Sequence, residues 1–276
     1  SWNGGINDTL QPNSIRDSTG YSLVYAGTIT VNISGGEVRG SVYGGGEVGR
    51  LGPTSGNGGS VTVTVGSGAS VAGDVFGGGY GSSGVLSSNT ISRTVVVNGA
   101  TVGGSVYGGS RLGDDNHADG SDFGRGQTYV YIVSGDIESG TSGNVYGGSY
   151  RGYSYMDTHV YIGVPAIAGG GQLFSDVLRV HSVYGGASVG ESSSFGNDAE
   201  LLLGNSEVVV GNLPEGGMSS PYTGGFSVTG DVFGEGHYCA ISGQSEVTFS
   251  GFCQDSKLLS VQKADELNVI GSDLEI

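Results

Sequence analysis

Lysine is almost missing from this sequence. Only Lys257 and Lys263 occur, and the ten basic residues face 26 acidic ones, a formal net charge of −16 over 276 residues. So thin a basic complement excludes a nucleic-acid-binding face, because phosphates demand clustered positive charge. Charged residues of both signs make up 13% of the chain, so the exposed surface must be built from Ser, Thr, Asn, Gly and Tyr. Long apolar runs are missing too. No stretch approaches the eighteen or so residues that a membrane-spanning helix needs. The opening "SWNGGINDTL" has neither the basic nor the apolar region of a signal peptide; an exported form would already have lost its leader. Cysteine is limited to Cys239 and Cys253. Being close in sequence, they suit one bridge near the C-terminal end in an oxidising setting, the alternative being two buried thiols.

Glycine, by contrast, supplies 58 residues, about three times the usual share of roughly 7%. Such a content without a period would mean a disordered chain, but a period is present. One phrase reads "GSVYGGG" at 40–46, "GDVFGGG" at 73–79, "GSVYGGS" at 104–110, "GNVYGGS" at 143–149, "HSVYGGA" at 181–187 and "GDVFGEG" at 230–236. Its aromatics, Tyr43, Phe76, Tyr107, Tyr146, Tyr184 and Phe233, are 33, 31, 39, 38 and 49 residues apart. Ahead of each lies a β-branched run: "TITVNI" (28–33), "SVTVTV" (60–65), "RTVVVN" (93–98), "TYVYIV" (128–133), "THVYIG" (158–163) and "EVVVG" (207–211).

A unit of strand, turn, strand and variable loop cannot bury its own apolar face, so successive units must stack. The expectation is an all-β fold, a parallel β-solenoid or β-helix of about six irregular coils, in which the aromatics form an internal ladder at the inter-strand spacing of about 4.8 Å. The residue before each Val, namely Ser41, Asp74, Ser105, Asn144, Ser182 and Asp231, is small and polar and suits a hydrogen-bonded ladder. The glycines after the aromatic would turn the chain sharply into the next sheet, with φ > 0 where needed. "SGGE" (34–37), "NG" (98–99) and "SGD" (134–136) are hairpin signals, so the alternative is an antiparallel hairpin-repeat array or β-prism. Residues 1–26 read as an N-terminal cap or lead-in, 27–251 as the repeats, and 252–276 as a C-terminal cap or the start of a following element. In that last segment "SKLLSVQKADEL" (256–267) suits a short helix, while "LNVIGSDLEI" alternates like a strand.

Strands of the "TVTV" kind alternating with "VYGGG" or "VFGGG" over roughly residues 27–238 resemble the glycine-rich repeat regions of large secreted or cell-surface adhesin-like proteins of gut bacteria and archaea. The resemblance is one of repeat style. It implies an extracellular or cell-surface location and a role as stalk, adhesin or fibre component.

Two loops hold the candidate chemistry. "RLGDDNHADGSDFGRG" (111–126) carries Asp114, Asp115, Asp119 and Asp122, oxygen ligands of the kind calcium takes, although His117 and Gly126 stand where an EF-hand needs a third-position ligand and its bidentate Glu. The bland alternative is a solvated acidic loop. Four aspartates so close repel one another unless a cation, or Arg111 and Arg125, neutralises them. "SYRGYSYMD" (149–157) offers Tyr150, Arg151, Tyr153 and Tyr155, a composition suited to stacking on sugar rings or anchoring a protein partner. The four histidines show no metal spacing, and no nucleophile elbow or phosphate loop occurs. The functional expectation is a structural or adhesive surface module without catalysis and without a required cofactor. Its partners would be glycans, protein surfaces or further copies stacked end to end. The alternative is a carbohydrate-active β-helix enzyme, a polysaccharide lyase or hydrolase using the 111–126 loop.

Overall fold

The β-branched runs form strands, as side chains stiff at χ1 favour, and every strand pairing among the described residues is parallel. In the computed structural model, residues 27–47, 59–81, 86–88, 92–116, 126–137, 143–163, 178–189, 200–202, 204–211, 226–250, 261–262 and 264–270 are described. They are all-β, with no helix among them. One sheet aligns the long strands Thr28–Ile33, Ser60–Val65, Ser92–Val102, Gly126–Ile137, Met156–Ile162, Ser206–Val210, Ser245–Ser250 and Glu266–Ile270 in chain order. A second aligns the two-residue strands Val42–Tyr43, Val75–Phe76, Val106–Tyr107, Val145–Tyr146, Val183–Tyr184, Val232–Phe233 and Val261–Gln262. The parallel order rules out the antiparallel hairpin array.

Register is uniform. In the short-strand sheet Val pairs with Val and aromatic with aromatic through all six phrases. Neighbouring residues of a strand point to opposite faces, so the two halves of the phrase enter different clusters. The valines join one aliphatic core with Val63, Val95, Val130, Val160, Val208 and Val247 of the long strands. The aromatics stack on the far face of their sheet, apart from the valines. Successive rings are 5.0, 4.7, 4.7, 4.8 and 4.6 Å apart and within 10° of parallel, the spacing of the strands that carry them. Phe76, Tyr107, Tyr146 and Tyr184 are buried, and Tyr43 and Phe233 at the two ends are partly so.

The polar position before each Val does make a ladder. Ser41 Oγ accepts the Asp74 N–H at 3.0 Å, Asp74 Oδ1 that of Ser105 at 2.9 Å and Ser105 Oγ that of Asn144 at 3.2 Å; Asn144 Oδ1 and Ser182 Oγ accept those of Ser182 and Asp231, both at 3.1 Å. A third line of bonds crosses between the sheets: Thr128 and Thr158 donate through Oγ1 to the carbonyls of Gly147 and Gly185 at 2.7 and 2.6 Å, and Ser206 Oγ donates to Gly234.

These crossings explain the glycine after each aromatic, and the explanation differs from the expected positive φ. None of the phrase glycines has positive φ. At Gly147 an added Cβ would strike the Gly185 carbonyl oxygen and the Thr158 side chain, and the same collision recurs at Gly108 and Gly185. Their need is room. Positive φ belongs instead to Gly36, Gly68, Gly163 and Gly211, just past the ends of long strands, and to Gly99 and Gly135, inside Ser92–Val102 and Gly126–Ile137 where their register shifts. The "SGGE" signal therefore marks a corner after Thr28–Ile33, and "NG" and "SGD" mark register shifts inside Ser92–Val102 and Gly126–Ile137, because a left-handed glycine serves a bend in a parallel coil as well as a hairpin.

In the C-terminal segment, Val261–Gln262 pairs with Val232–Phe233, and Glu266–Ile270 pairs with Ser245–Ser250. Of the expected helix over 256–267, the described residues are strand at 261–262 and 266–267 with a bend between, and none is helical. Parallel pairing onto a ready sheet edge outweighs the weak helix propensity of the segment.

Phe76→Ala removes a fully buried ring from the middle of the stack and should cost about 3–5 kcal/mol in denaturant unfolding. Gly147→Ala should cost about 1–3 kcal/mol despite an allowed φ, as overpacking does; an unchanged midpoint would show that room is not what the glycine provides.

Candidate functional site

Asp114 and Asp115 form a two-residue strand beside Leu86–Ser88. It lies on a third line of pairing continued by bridges from Asp115 to Ser154 and from Ser154 to Leu202. Alternation sends the two carboxylates to opposite sides. Asp115 is fully buried: its Oδ1 accepts the Ser110 hydroxyl at 2.6 Å and lies 2.8 Å from Arg93 Nη1, and its Oδ2 accepts the Ser110 N–H at 2.7 Å and the Ser149 hydroxyl at 2.6 Å. Ser149 Oγ is in turn 2.6 Å from Ser154 Oγ, and Arg93 Nη2 reaches Asn116 Oδ1 at 3.5 Å. Asp114 faces the other way and accepts the Tyr153 N–H at 3.1 Å. Burial raises its carboxyl above the usual range, with the Tyr153 bond opposing and the Asp115 charge adding to the rise.

The arginine that neutralises Asp115 is Arg93, and Arg111, expected in that role, is engaged elsewhere. The Arg111 guanidinium sits over the Tyr80 ring at 4.7 Å; Arg125, Asp119 and Asp122 lie outside the described residues. Arg93 opens the run "RTVVVN", and strict alternation with Val95 and Val97 was the signal that it points inward. As a calcium ligand Asp115 fits poorly, since both its oxygens already accept donors. No group of three or more His, Cys, Asp or Glu side chains gathers as a metal site among the described residues.

The tyrosine loop is drawn onto the stack. Tyr150 sets its ring edge against Tyr107 at 5.7 Å, and Tyr80 and His237, equally four residues past their phrase aromatics, sit against Tyr43 and Tyr184. Arg151 takes a left-handed φ of 61°, donates through Nε to the Val189 carbonyl at 2.9 Å and holds its guanidinium 5.1 Å from the Tyr150 ring. Tyr153 packs on Ala187, Val189 and Cys239. Tyr155 lies 6.3 Å from Tyr153, ring beside ring, its phenol raised by burial and then by Asp114. The Cys239 sulfur is buried 3.0 Å from the Ala187 carbonyl oxygen; the bridge to Cys253 falls outside the described residues.

A third cluster has no counterpart in the sequence reading. On the outer face of the long-strand sheet, Tyr129, Tyr131, His159 and Tyr161 form a two-by-two block of near-parallel rings. Tyr129 stacks on His159 at 4.8 Å and Tyr131 on Tyr161 at 5.0 Å; along the strands the centroids are 6.4 and 6.3 Å apart. Glu207 on the next strand closes one side, with Oε2 2.7 Å from His159 Nδ1 and accepting the Tyr161 hydroxyl at 2.9 Å. The His159 contact holds its carboxyl below the usual range against the opposing effect of burial. These residues stand at the alternate positions of "TYVYIV" and "THVYIG", and alternation alone placed them outside. No family model, curated protein or solved structure matches the chain.

Arg93→Met should cost about 3–5 kcal/mol by leaving Asp115 buried without its countercharge, and Arg93→Met combined with Asp115→Asn should recover part of that in the same unfolding assay. Glu207→Gln tests the outer block. Because the Glu207 carboxyl is depressed in the folded state, its contribution is present above the ordinary glutamate range and lost as pH falls through the folded value. The variant should melt lower at neutral pH, by roughly 0.5–1 kcal/mol for so exposed a pair, and match the parent only once pH has fallen below the depressed folded value, under the ordinary glutamate range.

Proposed function

We propose that the chain is a parallel β-solenoid of about six irregular coils that works outside the cell as a structural or adhesive surface module, a stalk, adhesin or fibre component, without catalysis. The observation that carries this reading is the use of the repeat interior. The phrase's Val, its aromatic, its glycine and the polar residue before it are each spent on the same residue of the next unit, an arrangement that holds shape and leaves no group to react. The resemblance of the repeat to cell-surface adhesin-like regions supports the location. Among the described residues, Thr28–Ile33 and Glu266–Ile270 each pair on one side only, and such open edges favour end-to-end contact with further copies. Two groups of the lyase alternative are engaged within the fold, Asp115 with Arg93 and Arg111 with Tyr80, which favours the structural reading over it. A calcium held by the 111–126 loop would use Asp114 with Asp119 and Asp122; a melting temperature indifferent to added calcium removes it.

A stack of equivalent units tolerates loss of a whole unit at the right register. Excision of residues 183–231 joins Ser182 to Val232, and the shortened protein should keep its β-sheet circular dichroism and melt cooperatively at a lower temperature. A shortened protein with no cooperative transition contradicts the solenoid, and unsaturated products released from an anionic polysaccharide by the intact chain contradict the absence of catalysis.

A further inference from the structure

The outer block of rings has one closed side and one open side. His159 and Tyr161 turn their outer faces toward the strand carrying Glu207 and Val209, where Glu207 binds both of them. Tyr129 and Tyr131 turn theirs the other way, toward Thr94 and Val96, their register partners on the preceding strand. Tyr129 and Tyr131 are side by side in nearly one plane, 6.4 Å apart and 10° from parallel. Their partners stand behind them at 4.8 and 5.0 Å. The two rings therefore make an upright wall. At its foot the outward positions of the next strands are Thr94, Val96, Thr62 and Thr64, small side chains that are partly exposed and leave the wall standing a ring's height above a shallow floor.

Charge divides the same way. Before the glycine corners, the acidic outward residues Asp157, Glu207 and Glu246 lie on the far side of the wall, in the strands from Met156–Ile162 onward; past the corners Asp136 stands 3.8 Å from Arg179 and Glu37 3.5 Å from Arg39. On the near side the outward positions of the strands Ser60–Val65 and Ser92–Val102 up to the corner, Ser60, Thr62, Thr64, Ser92, Thr94 and Val96, carry no charge, and five of these six carry a hydroxyl.

We propose that this step, the Tyr129–Tyr131 wall over the Thr62, Thr64 and Thr94 floor, binds neutral glycans by stacking pyranose rings on the two tyrosines while the threonine hydroxyls meet the sugar hydroxyls. A flat wall of two coplanar rings fits the apolar face of consecutive pyranoses whose substituents are equatorial, as in β-1,4-linked glucose or N-acetylglucosamine chains. An anionic polysaccharide is disfavoured by the acidic strands beside the block and by the absence of any basic group on the floor. The site deepens the adhesive side of the function proposed above and is separate from the tyrosine loop at 149–157.

Calorimetric titration of the whole chain with cellohexaose, with chitohexaose and with an oligogalacturonate is the test. Binding of at least one neutral hexasaccharide is expected, with no heat from the oligogalacturonate. Tyr129→Ala and Tyr131→Ala should each weaken it about tenfold or more, as loss of an aromatic platform does. The rings lie on the outer face, so the variants should melt within a few degrees of the parent. Tyr131→Phe should keep affinity, and Tyr150→Ala should leave it unchanged. No binding to either neutral hexasaccharide, or binding that survives the double alanine variant, overturns the site. That result leaves the structural reading intact, because the latter is tested separately by the unit excision and the cleavage assay.

Discussion

Everything in this structure depends on one constraint, that each unit's Val-aromatic-Gly phrase falls directly on the phrase of the unit before it. Parallel strands lie about 4.8 Å apart, and the rings from Tyr43 to Phe233 keep that interval across insertions that lengthen a unit from 31 to 49 residues. The valine, on the opposite face, keeps the same interval within the aliphatic core, where each buried side chain contributes roughly 1.5–3 kcal/mol. Between them the glycine must stay bare so that a threonine or serine of the long strand can reach the next glycine's carbonyl. A single phrase thus satisfies three contacts at once, which is why it returns with so little variation.

The places where the phrase breaks its pattern show what it was satisfying. Arg93 occupies the inward position that Thr128, Thr158 and Ser206 hold in later units. An inward arginine needs a countercharge, and the neighbouring line of pairing supplies Asp115, itself bound by Ser110 and Ser149. A buried pair of this kind is weak evidence of added stability, yet costly to halve. The last unit goes further. Gln262 stands at the register of the aromatic, paired with Phe233.

Much of the fold was legible because its signal repeats. Six copies of Val-Tyr or Val-Phe gave the units, the alternating runs gave the long strands, and the small polar residue before each Val gave the ladder. Parallel direction was harder, since "NG" and "SGD" are left-handed glycine signals common to bends in a parallel coil and hairpins. Of the final strands, Glu266–Ile270 was signalled by the alternation of "LNVI", whereas Val261–Gln262 escaped because "VQ" carries neither glycine nor aromatic and lies in a stretch that reads as helix. The candidate sites were legible only in composition. Four aspartates in nine residues invite a cation until one of them, Asp115, is found to face inward toward an arginine 22 residues earlier in the chain. Tyr150, Arg151, Tyr153 and Tyr155 look like an exposed loop, and the half-buried contacts of Tyr150 on Tyr107, Arg151 on Val189 and Tyr153 on Cys239 follow from a stack that takes a cover on its outer side. Tyr129, Tyr131, His159 and Tyr161 had the reverse fate: their strands read as core, while alternation turned these four rings outward.

The measurement that tests the stack most directly is the alkaline titration of its tyrosines. Burial pushes the Tyr184 phenol up to about 12 and raises Tyr107 and Tyr146 well above the ordinary value. A phenol raised in the folded state contributes stability that is complete below the ordinary tyrosine value near pH 10 and is lost as pH rises through the folded one. The stack therefore predicts that these three phenols ionise late and together with loss of the β-sheet signal, and that Tyr107→Phe, Tyr146→Phe and Tyr184→Phe combined removes three phenols from the late phase. Ionisation of all three near pH 10 with the sheet signal intact would place them in water and contradict the stack.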